Sequence, residues 1–491
     1  MAENAVLLEA GPRGPRLGGK RRGGAGEWRE RLAALFPETA VPKAAVPDAA
    51  VPGVGGAPGT RRRRRAASVA GQAAVVGAAA AVLLLRVAGI PAWDGTYAED
   101  NGVFLVDGLV RPWHLLVPYS GYLELGPRVI GQVIASFLPL VDASAAYAIT
   151  GALIGAATGL FLYHASAGYL RARWARALLG AALVLLPIAP LDIIDSAVDS
   201  PWYAMAALFF AVLWRPRSWP GMLAAALVAC YASSSEIVAF IYAPLLLIRL
   251  LALPRVREHA VTAGWLLGLA LQVPVVLLSY TQHKQRLGAL ATPGQALAFY
   301  CHNVVLRALG WHLSVWLKSA AGYNGATVIV GALLALALGW AFAAGDRPVR
   351  LFAALALLIG FAQTMFEATI AQYVVFQPPT PDFMAAARYS TIPVLLITAT
   401  GIVAVESYVR RRGGLRRDDV RPLVAGCVLA CVLGLGWASD FRYVSQRINA
   451  GRWLPYAQGL AAACHQDPAG DVTLNAWGGH HYTVPCARIR R

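Results

Sequence analysis

RRRRRAASVAGQAAVVGAAAAVLLLRVAGI, residues 61–90, places five arginines before an apolar run from about Ala66 to Ile90. That run has the length of a helix that crosses a bilayer. Because Lys and Arg are enriched on the cytoplasmic side of such helices, the arginines are predicted inside and Trp93 outside. The run starts too far along the chain, and is too long, for an ordinary cleaved signal peptide. It is therefore interpreted as a first transmembrane helix.

The composition of the whole chain extends this interpretation. Of 491 residues, 57% are hydrophobic and only 14% are charged, whereas a soluble protein carries roughly a quarter charged residues. Apolar runs near the spanning length recur along most of the sequence. Long runs, rather than short alternating ones, argue against an outer-membrane barrel. The sequence predicts an all-α polytopic membrane protein.

The loops between apolar runs alternate in charge, which predicts the topology. Loops predicted inside carry more Arg and Lys than acid, as the positive-inside bias requires. Counting from the first run gives about eleven transmembrane helices, with the N-terminus cytoplasmic and the C-terminus extracytoplasmic in a bacterial plasma membrane. The predicted spans at 201–214 and 220–232 are short. The predicted inner loops are 171–176, 215–220, 254–259, 346–350 and 410–421, and the outer ones are 192–200, 233–236, 281–323 and 377–390.

Three regions follow from this topology. Residues 1–65 are predicted to form a disordered basic cytoplasmic tail that contacts anionic lipid rather than nucleic acid. Residues 66–438 form the helical domain, whose first external loop, 91–141, ends in an interfacial amphipathic helix at 127–141. Residues 439–491 form a small extracytoplasmic segment.

The C-terminal segment is predicted to be a small external α/β cap. The stretches VTLNAW and HYTVPC alternate in polarity as short strands do. A disulfide between Cys464 and Cys486 would close the cap, because the outer side is oxidising. The alternative is two unpaired surface thiols.

The first external loop gathers acids in a chain of net charge +17. The adjacent pair Glu99 and Asp100 supplies oxygen ligands for a divalent cation, or one general base beside one metal ligand. Asp94, close to the predicted membrane edge, competes for the role of base. The alternatives are a solvated loop and a helix start near Asn101, since acids favour helix N-termini.

Two arginines on the predicted outer side are notable. Arg388 opens a span on the predicted outer side, against the positive-inside trend, and its guanidinium suits bidentate phosphate contact. The alternative for Arg388 is snorkelling to lipid headgroups. Arg128 is the second, and for it a structural salt bridge with Glu124, one helical turn away, is the favoured interpretation.

The second external loop carries further candidates. Asp195 and Asp199 share a face if this segment is helical, and would then repel unless a cation or an acceptor lies between them. Trp202 and Tyr203 follow this loop, and aromatic residues are common at a membrane interface without any ligand. Glu236 either lies in one cavity with Asp195 and Asp199 or caps a helix.

Several of these segments resemble a known enzyme class. YAEDNGVFL (97–105) and PYSGYLELGPRVIGQVIASFLP (118–139) look like the first external loop of bacterial GT-C glycosyltransferases. DSAVDSPWYAMAALFFAVLWRP (195–216) and AARYSTIPVLLI (386–397) resemble later segments of uncharacterised actinobacterial members. The resemblance covers roughly residues 66–491.

The resemblance implies a GT-C-like fold and an inverting hexosyl- or pentosyltransferase. Such an enzyme moves a sugar from a polyprenyl-phosphate donor to a glycan, lipid or protein acceptor of the cell envelope. It implies Asp100 as the base or metal-anchoring acid, with Glu99 as second ligand or orienter.

The resemblance also implies a phosphate ligand for Arg388 or Arg128, and a sugar ring against which Trp202 and Tyr203 could stack. A cation must offset the charge of the leaving phosphate, whether an arginine or a divalent ion (Mg²⁺, Mn²⁺ or Ca²⁺).

Two other classes of function compete with the enzyme. A multispan transporter or lipid flippase tends to carry ionisable groups at the bilayer midplane and internal repeats. The sequence shows no clear repeat, and Gln363 and Glu367 are the nearest case of polar groups within a span. A non-catalytic membrane scaffold would tolerate the loss of Glu99 and Asp100.

Overall fold

The computed structural model describes residues 24–38, 58–95, 99–187, 193–286, 292–370, 387–413, 420–444, 451–475 and 481–489. The α-helices within these ranges are α1 (Gly24–Ala33), α2 (Pro58–Arg86), α3 (Val106–Val110), α4 (Leu125–Phe137), α5 (Ala143–Ala165), α6 (Arg173–Val184), α7 (Ser200–Leu213), α8 (Trp219–Ser235), α9 (Ala243–Ala252), α10 (Ala260–Arg286), α11 (Pro293–Phe299), α12 (Trp311–Ala344), α13 (Arg347–Ile370), α14 (Ala387–Arg411), α15 (Val420–Ser439) and α16 (Trp453–Gln466). The strands are β1 (Val87–Ala88), β2 (Tyr443–Val444), β3 (Asp471–Asn475) and β4 (His481–Pro485).

Seven helices in the described ranges are long and apolar enough to cross a membrane: α2, α5, α10, α12, α13, α14 and α15. The chain is thus an all-α, multi-pass membrane protein, as predicted. The four other predicted spans coincide with the shorter helices α6, α7, α8 and α9. The total of eleven crossings therefore stays a prediction.

Helix α7 lies at the centre of the bundle, and all fourteen of its residues are buried. A helix that is apolar on every side is enclosed by protein, and α7 packs against α5, α8 and α14. Its length of about 21 Å falls short of a bilayer core of about 30 Å. Because other helices surround α7, it does not need to match the thickness of the bilayer.

The C-terminal ends of α2 and α15 lie side by side. The buried guanidinium of Arg86 donates hydrogen bonds to the carbonyls of Val184 (2.6 Å) and Leu186 (2.8 Å), and to those of Asp440 and Phe441. Beyond the helices, β1 and β2 pair in parallel. Both ends are therefore at the same face, so an even number of crossings separates them. A total of seven spans and a total of eleven both satisfy this condition.

Part of the N-terminal tail is docked on the bundle. Phe36 is fully buried, and the Tyr169 hydroxyl donates to the carbonyl of Leu35. The prediction of a disordered tail at 1–65 is therefore wrong for residues 24–38, because Leu35 and Phe36 gain apolar contacts that the tail's composition does not reveal. Helix α2 begins at Pro58, so the arginine run is helical. Residues 1–23 and 39–57 of the tail lie outside the described residues.

The predicted outer segment 281–323 contains helical structure. Helix α11 lies within it, and α12 begins at Trp311, well before the predicted span. Gly322 interrupts α12 with φ +69°, a backbone conformation that favours glycine. The kink separates a short preceding helix from the long apolar one.

The C-terminal segment forms a helix and a hairpin that pack on the first loop. The two stretches of alternating polarity form strands β3 and β4, which pair antiparallel, and Cys464 and Cys486 form a disulfide. The Trp453 indole donates to the carbonyl of Leu140 at 2.9 Å. This unit and α4 share one hydrophobic core, which places the segment beside the first loop.

Candidate functional site

Four carboxylates and one arginine meet where several helices end. Asp199 precedes α7, Glu236 follows α8, Glu124 precedes α4, Glu367 lies in the last turns of α13, and Arg388 lies in the first turn of α14. We call these five residues the acid cluster. All five positions belong to helix ends that the charge pattern predicts on the outer side.

Arg388 is the accessible member of the acid cluster. Its guanidinium lies 3.5 Å from the Asp199 carboxylate, and its charge also acts on Glu124, Glu236 and Glu367. The Arg388 side chain keeps 26% of its surface exposed, against 1% for Asp199. An anion arriving from the surface therefore meets the arginine before the buried carboxylates.

Half-buried tyrosines and one further acid lie beside the acid cluster. Tyr119 donates a hydrogen bond to Glu99 at 3.3 Å, and Tyr122 donates to Glu124. The charges of Glu124 and Arg388 act on both tyrosine hydroxyls. Together with Arg388, the two tyrosines and Glu99 form a partly exposed rim of aromatic and charged groups.

Backbone contacts hold Glu124 in place. The amide of Leu123 donates to the Gln272 side chain at 3.1 Å, and the amide of Gly126 donates to the Ser235 hydroxyl at 2.9 Å. A Cβ at Gly126 would lie 2.3 Å from the ring of Tyr231. Only glycine permits this approach, which brings the start of α4 against the end of α8.

Burial raises the pKa of two carboxylates of the acid cluster. Burial and the charge of Glu236 raise the pKa of Glu124 well above its ordinary value. Burial also raises the pKa of Glu236 to about 8, against the opposing charge of Arg388 and with a contribution from Asp199. One Oε of Glu124 and one of Glu367 are buried without a hydrogen-bond partner among the described residues. Glu124 and Glu236 can therefore hold a proton near neutral pH.

Asp100 joins the first loop to the second. Its buried carboxylate accepts hydrogen bonds from the amides of Val198 (2.9 Å) and Ala197 (3.2 Å) and from the Ser196 hydroxyl (3.2 Å). Glu99, the preceding residue, instead accepts a hydrogen bond from the Tyr119 hydroxyl. The two acids thus have different partners, and Asp100 positions the segment that leads into Asp199 and α7. A helical segment does begin at Asp100, as the alternative interpretation predicts.

Asp94 has its partners in the C-terminal segment. Its carboxylate accepts from the Arg452 guanidinium at 2.6 Å and from the Leu454 amide at 2.8 Å. The structure places this candidate base at the contact between the first loop and α16, and gives it no interaction with the acid cluster among the described residues.

Arg128 forms its ion pair with Asp107 at 2.7 Å. The predicted pairing with Glu124 is therefore wrong, because Glu124 turns towards Glu236 and Tyr122. The Arg128 guanidinium also lies 5.5 Å from the centre of the Phe104 ring. It stabilises the packing of the first loop, and the structure does not bring it into the acid cluster.

The second-loop candidates are packed within the bundle. Asp195 adopts φ +58° in a turn, so it does not share a helical face with Asp199. The charge of Asp195 acts on Arg86. Trp202 packs edge-on against Tyr389, with ring centres 5.4 Å apart, and both Trp202 and Tyr203 are buried in α7. The two aromatic side chains contribute to the core, and the half-buried Tyr389 is the accessible ring of the pair.

The described residues include no group of side chains that matches the predicted divalent-cation site. No group of three or more His, Cys, Asp or Glu side chains among them could hold a metal ion. Among the described residues, the cation that faces the carboxylates of the acid cluster is the Arg388 guanidinium.

Sequence reasoning missed the convergence of Glu124, Glu236 and Glu367. Each of these acids lies at or near the end of an apolar run, at a helix end predicted outside. That shared position is the signal that could have grouped them, since helix ends on one side of a membrane can meet.

Comparison with known proteins adds no relative, because no protein-family profile, curated protein or solved structure matches the chain.

Proposed function

We propose that the protein is a membrane glycosyltransferase that moves a sugar from a polyprenyl-phosphate donor to the hydroxyl of a cell-envelope acceptor. The observation that carries the proposal is the acid cluster, in which one accessible arginine lies beside buried carboxylates of raised pKa. The segments that contribute Glu124 and Arg388 are also those that resemble GT-C enzymes.

Arg388 is the group that binds the donor phosphate in this proposal. A guanidinium presents a planar fork that matches phosphate oxygens, and it keeps its charge at any physiological pH. Tyr389, which follows it on α14, and Tyr122 are half-buried next to the same space. Their rings provide apolar faces for a sugar.

Glu236 is the base in this proposal, which moves that role away from Asp100. A base works best when its pKa is close to the working pH, and Glu236 is buried beside Arg388 with a pKa of about 8. The acceptor hydroxyl gives its proton to Glu236 while its oxygen bonds to the anomeric carbon. The bond from that carbon to the phosphate oxygen breaks, and the electron pair leaves with the lipid phosphate. Arg388 offsets the charge of the leaving phosphate, and attack opposite to it inverts the anomeric centre.

The outer face of a bacterial plasma membrane is the proposed place of this reaction, with the N-terminus inside and the C-terminus outside. All five positions of the acid cluster lie at helix ends opposite the basic loops. The positive-inside bias assigns those loops to the cytoplasm.

The test uses purified protein in nanodiscs with a panel of radiolabelled polyprenyl-phosphate sugars. We expect Glu236→Gln to lower transfer by about 10² or more while donor binding remains, and Arg388→Gln to weaken donor binding. Glu406→Gln is the matched control, because Glu406 is another buried glutamate at the opposite end of α14. If Glu236→Gln transfers sugar as fast as the wild type does, Glu236 is not the base. If the wild type neither binds nor turns over any donor, the proposed glycosyltransferase activity is refuted.

A proton-coupled transporter or lipid flippase is the second candidate, and one observation favours it. Glu367 lies within the span of α13, is buried, and accepts a hydrogen bond from Gln363 at 2.8 Å. Buried carboxylates within spans are typical of proton relays. Flux in liposomes that depends on a pH gradient and is lost in Glu367→Gln, without any sugar transfer, would support this candidate instead.

A further inference from the structure

A cavity of about 280 Å³ lies at the end of α7 opposite to the acid cluster. It is formed by the loop between α7 and α8, the loop between α9 and α10, and the docked part of the N-terminal tail. The charged residues that line it are Arg215, Arg217, Arg255, Arg257, Glu38 and Glu258. Four guanidiniums thus face two carboxylates, and the cavity carries an excess of positive charge.

Buried hydrogen bonds fix the walls of this cavity. The guanidinium of Arg249 donates twice to the carbonyl of Glu258, at 2.8 and 3.0 Å, and also to the carbonyl of Val212. The same guanidinium lies 5.5 Å from the centre of the buried Phe36 ring. One side chain therefore contacts the end of α7, the loop after α9 and the tail, and these buried contacts fix the positions of the cavity walls.

The ion pairs of the cavity leave two arginines in excess. Arg215 lies 2.7 Å from the Glu258 carboxylate and 3.2 Å from that of Glu38, and Arg217 lies 2.9 Å from Glu38. Arg255 and Arg257 have no carboxylate within salt-bridge distance among the described residues. Like charges grouped around one cavity repel each other unless an anion lies between them.

We propose that this cavity binds the phosphate group of an anionic ligand, a phosphomonoester or phosphodiester. The planar guanidinium of arginine can donate two parallel hydrogen bonds to phosphate oxygens, and these charge-assisted bonds are short. Glu38, about half exposed at the edge, competes with the ligand for Arg215 and Arg217. Trp219 (67% exposed) and Val256 (87% exposed) adjoin these loops, as expected at a membrane interface. Lipid headgroups and free phosphate can therefore both supply the ligand.

The test measures phosphate binding to the full-length protein in neutral detergent. Inorganic phosphate is titrated by calorimetry at constant ionic strength, and bound phosphatidic acid or phosphatidylcholine is counted by native mass spectrometry. We expect the double variant Arg255→Gln/Arg257→Gln to weaken binding about tenfold or more. We expect Glu38→Gln to tighten it roughly twofold to fivefold, because a competing ion pair is lost.

The matched control is Arg171→Gln/Arg173→Gln, which removes the same charge from a neighbouring basic loop outside the cavity. We expect it to bind phosphate as the wild type does. Binding of phosphatidic acid alone assigns the cavity to lipid headgroups, and binding of inorganic phosphate alone assigns it to a soluble source. The proposal is overturned if neither probe binds, or if both double variants lower the affinity equally.

Discussion

The guanidinium of Arg388 lies 3.5 Å from the carboxylate of Asp199. Asp199 is the last residue before the central helix α7, and Arg388 lies in the first turn of α14. This ion pair joins two helices at the point where the buried acids gather. It also holds Arg388, the cation of the acid cluster, in the partly exposed rim that this residue forms with Tyr119, Tyr122 and Glu99.

Breaking this pair should lower both stability and ligand binding. The Arg388 side chain is 26% exposed but the Asp199 side chain only 1%, so solvent screens the interaction only in part. A double-mutant cycle of Arg388→Gln and Asp199→Asn should give a coupling of about 0.5–3 kcal/mol. The cycle is measured by chemical denaturation in detergent. Strictly additive effects of the two substitutions would show that the pair does not interact in solution.

Replacement of Asp100 should destabilise the fold. Asp100→Ala leaves two buried backbone amides and one hydroxyl without their acceptor, at a cost of about 2–4 kcal/mol. Asp100→Asn keeps one acceptor oxygen and should cost less. Thermal unfolding of both variants in detergent measures the difference. A wild-type melting temperature in Asp100→Ala would refute the positioning role of this residue.

The stability of the protein should depend on pH through Glu236. Its pKa is raised from 4.5 to about 8 by folding, so the folded state binds more protons than the unfolded state between these values. The contribution of Glu236 is therefore greatest below pH 4.5 and is lost as the pH rises towards 8, by at most about 1.4 kcal/mol per pH unit.

Unfolding free energies of the wild type and Glu236→Gln across this pH range test that dependence. We expect Glu236→Gln to reduce the decline of the unfolding free energy with rising pH. We expect Glu406→Gln to leave that decline as it is in the wild type. An unchanged pH profile in Glu236→Gln would show that this carboxyl is not the group responsible.

The disulfide should stabilise the C-terminal segment. Cys464 and Cys486 are 22 positions apart, and closing a loop of that size contributes about 3 kcal/mol. Cys464→Ser/Cys486→Ser should make residues 453–489 sensitive to protease while the helical bundle resists. Cys427→Ser/Cys431→Ser, which changes two free cysteines in α15, is the control. Equal protease resistance of the two double variants would contradict a stabilising role.

Hydropathy and charge along the chain suffice to predict the helical membrane fold, the positions of most spans and the strands of the C-terminal segment. Each of these depends on the transfer free energy or periodicity of one short stretch, which the residues of that stretch determine. The same local reasoning identified Asp199, Glu236, Arg388 and Glu367 as separate features. It did not show that they meet.

The partners of the polar groups depend on how distant segments pack. Asp100 accepts hydrogen bonds from residues nearly a hundred positions away, and Asp94 from Arg452, 358 positions away. No local pattern encodes such pairs, because a carboxylate in an external loop satisfies the same sequence rules whether it is solvated, paired or buried. Only the packing of α4, α7, α8, α13 and α14 removes water from the acids beside Arg388, and this desolvation raises the pKa of Glu124 and Glu236.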